Sequence, residues 1–290
     1  MTSKKTGKQV FPLLRQSINA LVVNPIILFP FLTIAFFQLV ILEILYFSTR
    51  FPLVAFFGPL IRRLWGEGYL HYPFNFAVLP MLFQFAQIPI YIFVSSFLIA
   101  VAMVMIAAIN NDQNINFRSA CRKAFPQYVH IVLAAIISFV IFYVLSKIYG
   151  VAIWRALKIG SKSGIFFMIK MIVLRGAPYF NLLMGVVITT LFAFVLPIIV
   201  IEKKKILSAL ILNFKSLWRS WWFIFLVVLF PTLLYVPVLI LRNNMPVIAN
   251  TFFPGIKFLA LILSVLFMVV IDGVVYTAIT MFYLLKRENQ

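Results

Sequence analysis

Two carboxylic acids lie inside long apolar stretches of this chain, and they are the residues best suited to chemistry. Asp272 falls near the middle of the last stretch, and Glu43 falls toward the end of the first. A charged residue at the bilayer centre costs about 2.5–3.5 kcal/mol on insertion scales, so each acid is a candidate for ion or proton handling. The alternatives are a hydrogen bond to another helix for Asp272 and a position at the outer interface for Glu43. The sequence favours these structural interpretations.

Another polar pair, Gln84 and Gln87, lies in the second apolar stretch. Residues three apart share one face of a helix, and their amides can form hydrogen bonds between helices worth about 1 kcal/mol each in lipid. We interpret the pair as a contact between helices. A transport path would need more polar groups, and the apolar stretches offer only a few others: Gln38, Thr189, Thr190 and Thr277.

Nothing in the sequence favours catalysis, a cofactor or a metal. Cys121 is the only cysteine, and the two histidines, His71 and His130, are predicted on opposite sides of the membrane, so no set of metal ligands is expected. Neither a phosphate-binding glycine loop nor a Walker lysine is present. The loop at 161–163 places serines beside a lysine, but a serine nucleophile would need that lysine to be buried. The sequence therefore predicts a protein that is not an enzyme.

The basic residues are the remaining chemical signal. The chain has 25 Lys and Arg against six Asp and Glu, and a dense basic cluster follows the fourth apolar stretch. The cluster consists of Lys203, Lys204, Lys205, Lys215 and Arg219. Each Lys or Arg near an anionic membrane surface contributes about 1 kcal/mol of attraction, so we expect the cluster to bind anionic lipid head groups. The charges are divided among short loops, which argues against nucleic acid as a partner.

The elements that must position these residues are six apolar stretches of transmembrane length. The chain is 64% hydrophobic and 11% charged, against roughly 45–50% and about 25% in ordinary globular domains. In hydrocarbon every backbone amide needs an internal partner, so each stretch is predicted to be a helix. The predicted spans are 26–47, 76–106, 131–148, 182–201, 222–241 and 258–284. We interpret 1–290 as one all-α integral membrane domain, with a cytoplasmic or interfacial segment at 1–25.

The second stretch, 76–106, is longer than one bilayer crossing requires. It contains Pro80 and Pro89, each of which removes a helix hydrogen bond. Either one long kinked helix or a re-entrant piece followed by a span fits this pattern. The sequence favours the kinked helix.

An amphipathic segment precedes each of three spans, at 11–24, 117–130 and 206–221. Each segment has apolar residues at helical spacing and Lys or Arg on the other side, as expected for a helix in the membrane interface. A plain extension of the following span is the alternative for any one of them. Their recurrence favours the interfacial interpretation.

The three segments can be aligned on one register position. That position is held by Ser17, Ala124 and Asn213. The next residue is apolar in each copy, namely Ile18, Phe125 and Phe214. The residue four positions earlier is Leu13, Ala120 and Ala209. The pattern predicts three copies of one unit, an interfacial helix followed by a helical hairpin.

The distribution of Lys and Arg predicts the orientation. With the N-terminus in the cytoplasm, 14 basic residues fall on the cytoplasmic side and 11 on the other, where the predicted loop 147–175 holds six. Because cytoplasmic loops carry the excess of Lys and Arg, both termini are predicted to be cytoplasmic.

The run 195–202, Val-Leu-Pro-Ile-Ile-Val-Ile-Glu, is followed at fixed spacing by further residues of one signature: Ala209, Leu210, Phe214, Trp221 and Trp222. Together they resemble a bacterial six-span inner-membrane family and the membrane domain attached to some glycerophosphodiester phosphodiesterases. Asn213 stands where serine is commoner, and the strong part covers about residues 194–222. The resemblance implies a helical membrane module. It does not imply phosphodiesterase activity, because the catalytic barrel of those enzymes has no counterpart in this chain.

These observations favour a multi-pass membrane module without catalysis of its own, which organises lipid or an envelope protein complex in a bacterial inner membrane. The alternative is a transporter or channel that uses Asp272 and Glu43. Membrane lipids, anionic ones above all, are the expected partners, with a membrane protein as a further one.

Overall fold

The structure is a computed structural model that describes residues 3–113, 115–158 and 164–288. Every regular element in these residues is helical. In chain order the α-helices are α1 (Ser3–Val23), α2 (Phe29–Tyr46), α3 (Val54–Leu64), α4 (Asn75–Pro89), α5 (Ser96–Asn110), α6 (Phe117–Ala124), α7 (Tyr128–Leu157), α8 (Ile165–Leu191), α9 (Val195–Ile201), α10 (Ile206–Leu217), α11 (Trp221–Leu233), α12 (Val236–Asn243), α13 (Met245–Thr251) and α14 (Ile256–Glu288).

Five helical segments of the described chain are long and apolar enough to cross a membrane. They are Pro25–Tyr46, Asn75–Asn110, Phe117–Leu157, Lys170–Ile201 and Ile256–Glu288. The pair α10 and α11 makes a sixth if its two helices, bent by 96°, are taken together. The prediction of an all-α polytopic membrane protein with about six spans is confirmed.

The fifth predicted span, 222–241, is divided into two helices. α11 ends at Leu233 and α12 begins at Val236. Pro237 has no N–H to donate to the carbonyl of Leu233, four residues earlier, so the helix breaks between them. At about 1.5 Å per residue α11 alone reaches only about 20 Å of the roughly 30 Å of hydrocarbon.

The second apolar stretch forms the long helix that the sequence favours. α4 ends at Pro89, a π-helical turn covers Ile90–Ser95, and α5 completes the path to Asn110. Pro89 cannot donate to the carbonyl of Phe85, and the wider π-helical turn accommodates this interruption of the ladder. The result is one helical segment with an irregular turn near its middle.

The predicted loop at 147–175 is shorter than expected. α7 continues to Leu157 and α8 begins at Ile165, so most of this region is a helical hairpin. The rings of Tyr149 and Phe180 stack with centroids 3.8 Å apart, and the Tyr149 hydroxyl donates to the carbonyl of Val173 at 2.7 Å. The basic residues of the region suggested a solvated loop. Instead, packing between α7 and α8 extends both helices beyond the apolar stretches that were predicted as spans.

The three short helices α1, α6 and α10 pack in a ring around the core. α6 packs on α5, α10 packs on α9, and α1 packs on α14. Each short helix therefore contacts the last helix of another predicted unit. α5 lies at the centre, in contact with α9 and α14, and all of its residues from 98 to 108 are buried.

The burial of the short helices agrees with the predicted register. The register residues are all 0% exposed: Ser17, Ala124 and Asn213. The residues four positions earlier are also buried: Leu13, Ala120 and Ala209. The next residues are exposed, with Ile18 at 48%, Phe125 at 68% and Phe214 at 49%. The three segments present the same face to the core, as three copies of one unit require.

Candidate functional site

α10 carries Lys215 of the basic cluster, and the other four basic residues flank this helix. Its inner residues Ala209, Asn213 and Leu217 are buried, and their spacing of four places them on one face, which packs against the bundle at α9. The angle of 96° with α11 turns α10 almost perpendicular to the helix that follows. A helix in the plane of the membrane interface has this geometry.

The outer face of α10 is apolar and bordered by positive charge. Four large side chains at helical spacing are exposed, namely Leu207 at 72%, Ile211 at 70%, Phe214 at 49% and Trp218 at 88%. The five basic residues of the cluster are exposed as well: Lys203, Lys204, Lys205, Lys215 and Arg219. We call these nine residues the α10 surface. Its apolar side chains suit contact with lipid tails, and its cations suit contact with head groups.

α1 and the region around α6 repeat this arrangement. Phe11, Ile18 and Val22 are exposed along α1 with Arg15 beside them. Around α6 the exposed apolar residues are Phe125 and Val129, and the exposed basic residues are Arg118, Arg122 and Lys123. All three short helices therefore combine a buried face with an exposed face of apolar and basic residues.

Asn213 closes a break in the helix behind α10. α8 ends at Leu191 and α9 begins at Val195, so backbone groups between them lose their helical partners. The Asn213 side chain donates from Nδ2 to the carbonyl of Leu191 at 2.7 Å and accepts the N–H of Phe194 at 3.0 Å. One buried amide thus satisfies one partly buried acceptor and one buried donor. The sequence did not indicate this role.

Polar contacts also tie the end of α14 to α9 and α10. The Tyr283 hydroxyl donates to Oε1 of Glu202, the acid that follows α9. The Lys286 ammonium donates to the carbonyl of Ser216 and, at 3.1 Å, to Oγ of Ser220. These contacts hold both ends of α10 against the C-terminal part of α14.

Asp272 lies at the midpoint of α14, 16 residues from Ile256 and 16 from Glu288. At about 1.5 Å per residue, each end of the helix is about 24 Å away. The side chain is half-buried, and within the described part of the chain it makes no hydrogen bond or salt bridge. The hydrogen bond to another helix that the sequence favours for this residue is therefore not formed.

A cavity of about 60 Å³, measured as space open to the centres of water molecules, is lined in part by Tyr276, one helical turn after Asp272 on α14. Its polar lining consists of Tyr91, Ser96, Ser138, Thr189 and Tyr276. Both phenols, Tyr91 and Tyr276, interact electrostatically with the Asp272 carboxylate. One water needs about 10–15 Å³ of such space, so the cavity can hold several.

The other intramembrane candidates lie apart from this cavity. Glu43 is exposed, three residues before the end of α2, which fits the predicted interfacial position. Gln84 is exposed and Gln87 is half-buried, and neither side chain makes a hydrogen bond among the described residues. The expected contact between helices is not formed, because Gln84 faces away from the protein. The serines and lysine of 161–163 lie outside the described residues.

No protein-family description, curated protein or solved structure matches this chain. Function is therefore inferred from the geometry of the α10 surface and of the intramembrane cavity. In the described residues, no three His, Cys, Asp or Glu side chains come together as metal ligands.

Sequence reasoning missed most of the cavity lining. Tyr276 follows Asp272 by four residues, and this spacing places both on one face of α14, so the pair could have been found. Tyr91 and Ser138 carry no such signal. They meet only because the π-helical turn and α7 pack side by side.

Proposed function

We propose that this protein is a non-catalytic, multi-pass membrane module that binds anionic lipid through the α10 surface, in a bacterial inner membrane with both termini in the cytoplasm. The observation that supports the proposal is the combination, on α10 and the residues that flank it, of exposed large apolar side chains and five exposed cations. Such a surface lowers its free energy by inserting its apolar residues at the level of the head groups and pairing its cations with phosphates. Binding there would organise lipid, or a lipid-dependent envelope complex, around the protein.

The three lysines at 203–205 provide the sharpest test. We expect the combined substitution Lys203→Gln, Lys204→Gln and Lys205→Gln to weaken binding of anionic lipid roughly 100-fold, from about 1 kcal/mol per cation. Binding is measured on the purified protein as thermal stabilisation by titrated phosphatidylglycerol, with phosphatidylcholine as the neutral comparison.

The matched control removes three charges from the α7 end of the molecule, through Lys147→Gln, Arg155→Gln and Lys158→Gln. This variant should keep most of its response to phosphatidylglycerol. An equal loss in both variants would mean that net charge alone attracts the lipid, and the α10 surface would lose its proposed role.

The orientation is tested separately by thiol labelling. In a Cys121→Ser background, Lys158→Cys should react with a membrane-impermeant thiol reagent in intact cells, because its position at the end of α7 is proposed to face outward. Lys204→Cys should react only after permeabilisation. Both lysines are exposed, so burial does not limit either reaction. The reverse labelling pattern would invert the proposed topology.

A transporter or channel is the second candidate, and the polar cavity near Asp272 is the observation that favours it. Glu43 lies at the end of α2 and does not line that cavity. A path across the membrane would thus have to be built around Asp272 without the second acid.

A further inference from the structure

The polar cavity near the middle of the bundle is independent of the α10 surface. Its polar groups come from the middle of several membrane-crossing segments: Tyr91 from Asn75–Asn110, Ser138 from Phe117–Leu157 and Tyr276 from Ile256–Glu288. Apolar helices place such groups at this depth at a cost in free energy, so their convergence on one cavity points to a bound polar species.

The hydrogen bonds of the lining leave several oxygen atoms open to the cavity. The Ser138 hydroxyl donates its only proton to the carbonyl of Ala135 at 2.9 Å, so the Tyr91 hydroxyl, 3.3 Å away, must be the donor to Ser138. The Tyr91 oxygen therefore still accepts. The hydroxyls of Thr189 and Tyr276 make no hydrogen bond in the described part of the chain. A cavity with such groups and room for several waters is hydrated.

Asp272 is not part of the cavity lining, but it lies on the same helix as the lining residue Tyr276. It lies one helical turn before Tyr276, and both Tyr91 and Tyr276 interact with its carboxylate. The helices α4, α5, α11 and α13 that pack on α14 contain no charged residue. On the other packed helices the described charged side chains are Arg15 of α1, Glu43 of α2 and Arg242 of α12, and all three are exposed. No described cation is therefore placed to neutralise an ionised Asp272.

We propose that Asp272, with the hydrated cavity lined by Tyr91, Ser138 and Tyr276, forms an intramembrane proton-binding site. The carboxyl binds a proton from the cavity water and releases it to the same water. Tyr276, whose hydroxyl proton is free, stabilises the ionised form by donating a hydrogen bond toward the carboxylate through the cavity water, whereas Tyr91 donates its proton to Ser138 and offers that water only an acceptor. This is an activity separate from lipid binding, and it would hold even if the α10 surface bound no lipid.

Labelling with a hydrophobic carbodiimide tests the site, because this reagent forms a stable adduct with a protonated carboxylic acid in an apolar region. The full-length protein is labelled in membrane vesicles over a series of buffers from acidic to alkaline, and the adduct on the Asp272 peptide is quantified by mass spectrometry. We expect labelling to be high at acidic pH and lost at alkaline pH. Asp272→Asn should remove the adduct.

Three results with the unaltered chain would overturn the proposal. Labelling of Asp272 that stays constant across the buffers would identify a permanently neutral, structural acid. Absence of labelling in every buffer would mean that the Asp272 carboxyl is accessible neither to water nor to the reagent. Protection by sodium at constant pH would identify a metal cation as the ligand in place of the proton.

The role of the phenols has its own matched variants. Tyr276→Phe removes the hydroxyl that donates toward the carboxylate, so the carboxylate loses stabilisation and labelling should persist to higher pH, whereas Tyr91→Phe, which removes a hydroxyl that donates to Ser138, should shift the labelling curve less. Tyr143→Phe changes a tyrosine of α7 that is 51% exposed and does not line the cavity, and its labelling curve should match that of the unaltered protein. An unchanged curve for Tyr276→Phe would overturn the part assigned to that phenol.

Discussion

Replacing Asn213 with alanine is expected to lower the free energy of unfolding by roughly 2–6 kcal/mol. The substitution leaves the N–H of Phe194 and the carbonyl of Leu191 without their hydrogen-bond partner, and each unsatisfied buried group costs about 1–3 kcal/mol. The measurement is the unfolding midpoint in mixed detergent micelles as the fraction of sodium dodecyl sulfate is raised. The lower free energy of unfolding should appear as a clearly lower unfolding midpoint. Before the titration, the purified variant should still be monodisperse.

Asn19→Ala is the matched control for this variant. Asn19 lies on α1, another of the three short helices, but its side chain is exposed and makes no hydrogen bond among the described residues. Its substitution should change the midpoint little. Equal midpoints for the two variants would contradict the role of Asn213 in closing the break between α8 and α9.

The second large effect is expected at Phe194, which is 0% exposed at the same break. Its ring lies 6.1 Å from that of Phe282 and 5.6 Å from that of Tyr283, and the Lys286 ammonium lies 5.7 Å from its centroid. Phe194→Ala would leave a cavity between α9 and α14. Phenylalanine truncations of this kind cost about 3–5 kcal/mol in protein cores.

In a bilayer the free-energy cost of Phe194→Ala has a different physical origin, but it remains. Lipid tails are as apolar as the protein core, so the loss comes chiefly from packing contacts that the smaller side chain cannot make. Phe85→Ala is the comparison, because Phe85 is 61% exposed on α4 and loses contact mainly with lipid. The same unfolding titration measures both variants. A midpoint for Phe194→Ala as high as that for Phe85→Ala would contradict the assignment of Phe194 to the core.

Patterns that recur along the chain predicted the architecture well. The alignment of Ser17, Ala124 and Asn213 rests on residue type and helical spacing alone, and all three residues prove to be fully buried. Helical periodicity is a local property, so a register shared by three segments identifies the face that each turns inward. The number of spans follows in the same way from the length of each apolar run.

Local irregularities were predicted less well, because they depend on backbone groups and neighbours. The sequence treats 222–241 as one span, whereas Pro237 breaks it between α11 and α12. The region 147–175 was predicted as a loop because it lies between two apolar stretches, but contacts such as the Tyr149 and Phe180 stack extend both helices. The composition of 222–241 is compatible with one helix or two, and that of 147–175 with a loop or a helical hairpin. Packing decides which structure forms in each region.

The sequence by itself determined that this is an all-α membrane protein, where its polar and basic residues fall along the helices, and which positions of the short helices face inward. Composition, periodicity and charge are sufficient for these conclusions, because each depends on residues close together in the chain. Only the tertiary structure decided which polar groups meet. Asn213 reaches Phe194 across 19 residues, Tyr91 reaches Ser138 across 47, and Tyr283 reaches Glu202 across 81. Such pairs form when helices pack, and packing in lipid depends on the fit between whole helix surfaces, which no local pattern specifies.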